Sequence, residues 1–135
     1  MGDHAASRQN RLRTGEEYFL FLAGAAEILL THHERFDGSG YPQKMKWDEI
    51  PFGARIFAVA DALDAMTSDR PYRAALPLQA ARDVIERSSG ALFDPLAAAA
   101  FLRVPSGTWE TIARQTVTVQ ASSVLAAEKI ATPVT

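Results

Sequence analysis

His32-His33-Glu34-Arg35-Phe36-Asp37-Gly38-Ser39-Gly40-Tyr41-Pro42 sets two adjacent imidazoles beside a glycine-rich turn. Imidazole is a common neutral metal ligand, and a pair of them followed by acidic residues suits cations such as Mn, Fe or Zn. Paired histidines also occur on ordinary solvated helix ends, so the pair alone decides little. The rest of the run moves the reading toward a site. Gly38 and Gly40 bracket Ser39, which lets the backbone take a positive φ or pass close to a ligand, and Pro42 stiffens the exit. Asp37 reads as a turn residue that bonds its own backbone.

On either side of this run, the chain reads as helices throughout. Thr14 with Glu17 three residues later forms a capping-box pattern, and Tyr18, Phe21, Leu22, Ala25, Ile28 and Leu29 recur at helical spacing up to the histidines. The paired imidazoles then sit at a helix C-terminus. Residues 36–49, with two glycines and a proline, read as an ordered functional loop. A helix is expected from about Pro51 to Thr67, with Ile56, Val59, Ala60, Leu63 and Met66 as its core stripe and Phe57, Asp61 and Asp64 on a neighbouring face. Asp61 would border the core, and a partly buried carboxylate needs a partner, of which a metal is one candidate. Pro77 opens a helix from Leu78 to Ser89 that Gly90 ends, and Asp94-Pro95 starts a short Ala-rich helix to Leu102 with Asp94 as N-cap. Ser106 caps one more helix through about Gln115. After Thr116 the pattern is ambiguous, strand-like at Val117 and Val119 and helix-like from Val124 to Ile130.

A second constellation, Val59-Ala60-Asp61-Ala62-Leu63-Asp64-Ala65-Met66-Thr67-Ser68-Asp69-Arg70-Pro71-Tyr72-Arg73, follows the first. Together with Ile50-Pro51 and Phe93-Asp94-Pro95, in this order, these stretches resemble the HD-GYP family of bacterial metal-dependent phosphodiesterases that open cyclic di-GMP. The resemblance implies an all-α helical bundle of the HD-domain type. It makes His32 and His33 metal ligands and Asp61 a further, bridging ligand, and these three the catalytic residues, with Fe or Mn as the divalent ion. It gives Tyr41, on the loop opened by Gly38 and Gly40, contact with a substrate phosphate, and Arg70 and Arg73 the role of a guanidinium clamp on the dinucleotide's phosphates. Bland alternatives remain for several of these residues. Asp64, on the same helical face as Asp61, reads as a structural hydrogen-bond partner more than as a catalytic group, and either arginine could pair with Asp64, Asp69 or Glu49.

Other parts of the family pattern are missing. Relatives carry an earlier His-Asp dipeptide, further His or Glu ligands, and a lysine thought to protonate the leaving group; this chain has no His-Asp dipeptide, only Asp3-His4 in reverse order. If Gly15 aligns with a glycine of the family, Arg11 occupies a ligand position that an arginine cannot fill. Metal binding is therefore expected to be weak unless carboxylates such as Glu16, Glu17 or Glu34, taken as exposed, complete the set. The expected organisation is a loose segment 1–13, a partial HD-GYP-like helical domain over 14–115, incomplete at its N-terminus, and a tail over 116–135. The expected activity is cyclic di-GMP hydrolysis of which this chain alone is incapable. The alternative is a degenerate module that binds a cyclic dinucleotide or a signalling protein, diguanylate cyclases being partners that the family suggests.

Composition bounds the remaining choices. A chain of 135 residues, 47% hydrophobic and 22% charged, suits one core. A net charge of −2 and a pI near 5.9 argue against nucleic acid as partner. The absence of cysteine excludes disulfides and thiolate metal sites. The longest apolar tract, Phe19 to Leu30, is too short to span a bilayer, and no secretory signal opens the chain, so a cytoplasmic protein without membrane contact is expected. A helical half-core would expose apolar surface and favour homo-oligomers.

Overall fold

The computed structural model describes residues 15–116, which form helices joined by ordered loops. α1 spans Gly15–Thr31, α2 Phe52–Thr67, α3 Leu78–Arg87 and α4 Pro95–Arg103, with a 3-10 turn at Trp47–Glu49 between α1 and α2. Residues 106–116 are helical as well and are called α5. Among the described residues there is no strand, only isolated bridges at Arg70/Arg73 and Ser89/Phe93. The all-α reading of the sequence is thus the observed fold. The Thr14 cap and the ambiguous run after Thr116 lie outside the described residues.

Helix boundaries follow from local chemistry. Pro51 and Pro77 stand as N-caps of α2 and α3, where a missing N–H costs nothing. At α4, the Asp94 side chain accepts a hydrogen bond from Leu96 N at 2.8 Å and Pro95 fills the first helical position, as the sequence pattern predicts. The far end of α4 is closed by Arg82 of α3, whose guanidinium donates to Leu102 O at 2.6 Å and Val104 O at 3.0 Å, satisfying carbonyls that the helix leaves open.

The core lies between α2, α3 and α4. Val59, Ile85, Phe93, Ala98 and Phe101 are buried together, with Leu63, Met66, Leu92, Leu102 and Trp109 packed around them. Each large apolar side chain fully removed from water there contributes about 2 kcal/mol. An ion pair pins the edge of this core: Arg55 Nη1 on α2 meets Asp94 Oδ2 at 2.7 Å, with both side chains largely shielded from water.

Two expectations about the core are corrected. Ile56 is 47% exposed and Ala60 is exposed, although the periodicity of α2 puts both on its core stripe. The reason is the partner surface: α4 presents Ala97 and Ala100 there, whose short side chains leave the space open. An apolar groove of about 270 Å³ remains between Ile56, Ala60, Phe101 and Trp109.

α1 departs further from a globular pattern. It packs against α2, where Gly53 lets Ile28 come close, since a Cβ at Gly53 would stand 2.7 Å from Ile28 Cδ1. Along the rest of α1, Phe19, Leu20, Phe21, Leu22, Leu29 and Leu30 are each 60% exposed or more. No helix among the described residues is long and apolar enough to cross a membrane.

Candidate active site

α1 delivers the paired histidines at its C-terminal end. Thr31 is buried, its hydroxyl donating to Glu27 O at 2.7 Å, and His32 N–H closes the last turn onto Ile28 O at 2.9 Å. The two imidazole rings lie 3.9 Å apart, and the edge of Phe57 on α2 meets the His32 ring at 5.2 Å. His32 Nδ1 lies 2.8 Å from Leu29 O. A carbonyl only accepts, so Nδ1 carries the proton and the Nε2 lone pair is left open, the arrangement by which a backbone carbonyl orients a metal-binding imidazole.

Beyond the histidines the chain folds back on itself. Gly38 N–H donates to Arg35 O at 2.8 Å and Tyr41 N–H to His33 O at 3.3 Å. Gly38 takes φ +84°, and its missing side chain makes room for the stem of Lys46. Gly40 is buried against backbone, where a Cβ would stand 2.5 Å from His33 O and collide with Arg35 N. The Tyr41 ring comes to rest on the His33 imidazole, 4.9 Å between centroids and nearly parallel. Asp37 is the expected turn residue: Ser39 N–H donates to its Oδ1 at 2.9 Å. Hydrogen bonds from the Ser39 hydroxyl and N–H hold its carboxyl below the usual carboxylate range. The whole loop docks on the turn before α4, through Phe36 N–H to Leu92 O at 3.2 Å and Asp37 N–H to Ala91 O at 2.9 Å.

Glu34 differs from its sequence reading. It is 4% exposed, and its carboxylate accepts from Gln43 N–H at 2.6 Å and Met45 N–H at 3.1 Å, so it is no spare surface ligand. Glu16 and Glu17 lie in the first turn of α1, at the opposite end of the helix from the histidines.

Asp61 also differs. It is exposed instead of bordering the core, and its carboxylate has no hydrogen-bond or ion-pair partner among the described residues. It lies one helical turn beyond Phe57, the residue that touches His32, and so on the same face of α2. Asp64 takes the structural option, accepting from the Ser68 hydroxyl at 3.3 Å.

Arg70-Pro71-Tyr72-Arg73 forms a tight turn closed by Arg70 N–H to Arg73 O at 2.8 Å and Arg73 N–H to Arg70 O at 3.1 Å. Neither arginine pairs with Asp64, Asp69 or Glu49. Asp69 instead accepts from Ala75 N–H at 2.8 Å, and the Arg73 guanidinium donates to Ala65 O near the end of α2. Arg70 is exposed with no side-chain partner among the described residues.

The donor chemistry suits a divalent ion in kind. Among the described residues, His32 has its Nε2 free and Asp61 is an unpartnered carboxylate on the adjoining helix. The set is incomplete, however: among the described residues no three His, Asp or Glu side chains lie close enough together to hold a metal. Sequence reasoning missed two residues that build the site, Glu34 as a loop clamp and Arg55 as the partner of Asp94. Arg55 carried a signal, being an arginine between Ala54 and Ile56 in an apolar helix, where it needs a carboxylate.

The chain is similar to curated phosphodiesterases over part of its length. It is 54% identical over 79 residues to a cyclic di-GMP phosphodiesterase of Thermotoga maritima, covering 58% of this chain and 22% of that protein. A cyclic di-GMP phosphodiesterase of Vibrio cholerae is 46% identical over 84 residues, 62% of this chain and 17% of that protein. A 3'3'-cGAMP-specific phosphodiesterase of Vibrio cholerae is 44% identical over 70 residues, 52% of this chain and 15% of that protein. The chain thus spans about a fifth or less of the length of these relatives. The sequence profile of the HD domain matches residues 3–96, well over half of the chain, and the chain belongs to the HD domain family.

Proposed function

We propose that this chain supplies part of the active site of a metal-dependent phosphodiesterase that opens cyclic di-GMP to its linear form. The observation that carries this reading is the His32 and His33 pair, fixed at a helix end with one Nε2 free and with Tyr41 stacked beside it. His32, His33 and Asp61 are the donors that this chain would contribute to a divalent ion, Fe or Mn, in a centre that the described residues do not bring together on their own. When bound, such an ion lowers the pKa of water and neutralises charge at phosphorus. Tyr41 offers its hydroxyl to a phosphate oxygen from the lip of the loop. Arg70, whose guanidinium has no partner among the described residues, would meet a second phosphate, while Arg73, tied to Ala65 O, holds the turn that presents Arg70. Hydrolysis adds water across one phosphodiester bond, leaving one phosphate terminal and a ribose hydroxyl that takes up the proton.

A specific observation favours a second reading. With no group of three ligands among the described residues, the chain could bind a cyclic dinucleotide without turning it over. Metal content and hydrolysis of cyclic di-GMP in added Mn or Fe, with a His32→Ala/His33→Ala control, separate the two. Metal uptake with turnover lost in the control supports the phosphodiesterase. Dinucleotide binding without either supports the binding module. A chain that binds neither metal nor dinucleotide contradicts both. Preference for 3'3'-cGAMP over cyclic di-GMP in the same assay would correct the substrate.

A further inference from the structure

We infer that Glu34 is the positioning residue of this site, a buried clamp that closes the glycine-rich loop and thereby holds Tyr41 against His33; the substrate side of this inference rests on the function proposed above. Three observations carry it. The Glu34 carboxylate is removed from water and spends both oxygens on backbone donors, Gln43 N–H and Met45 N–H, nine and eleven residues onward. A buried carboxylate so used is satisfied by the loop alone and holds the loop in return. Between those two donors stands Lys44 at φ +56°, a left-handed conformation that a side chain other than glycine adopts at a cost. The conformation persists because the residues on either side are both held by one carboxylate. Finally, the ring closed from residue 34 to residues 43 and 45 contains Gly38, Gly40 and Tyr41. Tyr41 itself adds a long N–H to His33 O bond at 3.3 Å and ring contact to that stack. Tyr41 is itself 60% exposed, so packing does not fix it.

Glu34 therefore acts through Tyr41 and His33 and touches neither phosphate nor metal itself. Replacement by glutamine keeps the volume and removes one acceptor, turning an amide NH₂ toward a backbone N–H. In the wild-type chain, amide hydrogen exchange read by NMR should show Gln43 and Met45 protected and Lys44 between them fast. In Glu34→Gln, protection at Gln43 and Met45 should fall at least about tenfold, the cost of one unsatisfied buried donor. The ring-current displacement of the His33 imidazole protons should collapse, while amides of Ile85 and Ala98 in the core stay as they were. Affinity for cyclic di-GMP, measured by calorimetry, should weaken by about tenfold for the same reason. Unchanged His33 shifts and unchanged affinity in Glu34→Gln would overturn the inference. So would fast exchange at Gln43 and Met45 in the wild type, a measurement that stands even if the variant fails to fold. A wild-type chain that binds no cyclic di-GMP would overturn the proposed function and not the clamp, which the amide and ring-current measurements then decide.

Discussion

Removing the Arg55 guanidinium leaves Asp94 a buried carboxylate with Leu96 N–H as its one remaining donor among the described residues. Stripping one partner from such a shielded pair is strongly destabilising, so Arg55→Ala should lose about 3 kcal/mol in urea denaturation. A loss below about 1 kcal/mol, the range of exposed ion pairs, would show that water reaches the pair. Asp37 gives a pH effect of known sign. Its carboxyl is held below the ordinary value of 3.8 by the Ser39 hydroxyl and N–H. A depressed folded-state value means that its contribution is present above the ordinary value and is lost as pH falls through the lowered one. The acid limb of an unfolding curve should therefore flatten slightly in Asp37→Asn. At this scale the sequence was legible where chemistry is local: Asp94 as N-cap and Asp37 as turn residue depend on two or three neighbouring residues. Glu34 and Asp61 read differently in the sequence because their exposure is decided elsewhere, by a loop returning at residues 43–45 and by the end of α1 at Thr31, whose contacts on α2 are at Gly53 and, through His32, at Phe57.

Two glycines separate tight packing against backbone from tight packing against a side chain. A Cβ at Gly40 would run into the backbone of residues 33–35, which has nowhere to go, whereas one at Gly53 would meet only the end of the Ile28 side chain. Gly40→Ala should therefore cost roughly 1–3 kcal/mol as overpacking. Gly53→Ala should stay within about 1 kcal/mol, since Ile28 can change rotamer and alanine gains about that much in helix propensity. Paired thermal unfolding of the two variants checks this, and equal losses would contradict it. The element boundaries of α2, α3 and α4 were readable from their Pro and Asp starts and from Gly90. Which face of each helix meets which partner was not. Ile56 and Ala60 look like core by period, yet the alanines of α4 leave them beside a groove.

Over the whole molecule, the tension is between a well-formed core at α2, α3 and α4 and a helix whose apolar side chains stand largely in water. Phe19, Leu20, Leu22 and Leu30 on α1 are exposed apolar side chains, and contiguous exposed apolar surface favours association in soluble proteins. The isolated chain should therefore associate as its concentration rises, visible by sedimentation, and a double change such as Phe19→Ser/Leu22→Ser should reduce it. A strictly monomeric chain up to high concentration would contradict that expectation. The same geometry explains why the site is only partly legible. The motifs from His32 to Tyr72 specify family and fold, whereas a metal centre needs donors brought together from several elements, and the described residues bring together too few. The most direct test of the account is a Mn²⁺ titration followed by electron paramagnetic resonance on the wild type, His32→Ala/His33→Ala and Asp61→Ala. The wild type should take up the ion, weakly because the ligand set is incomplete, and both variants should lose that uptake. No uptake by the wild type, or equal uptake by all three, would contradict the assignment of His32, His33 and Asp61 to a metal centre.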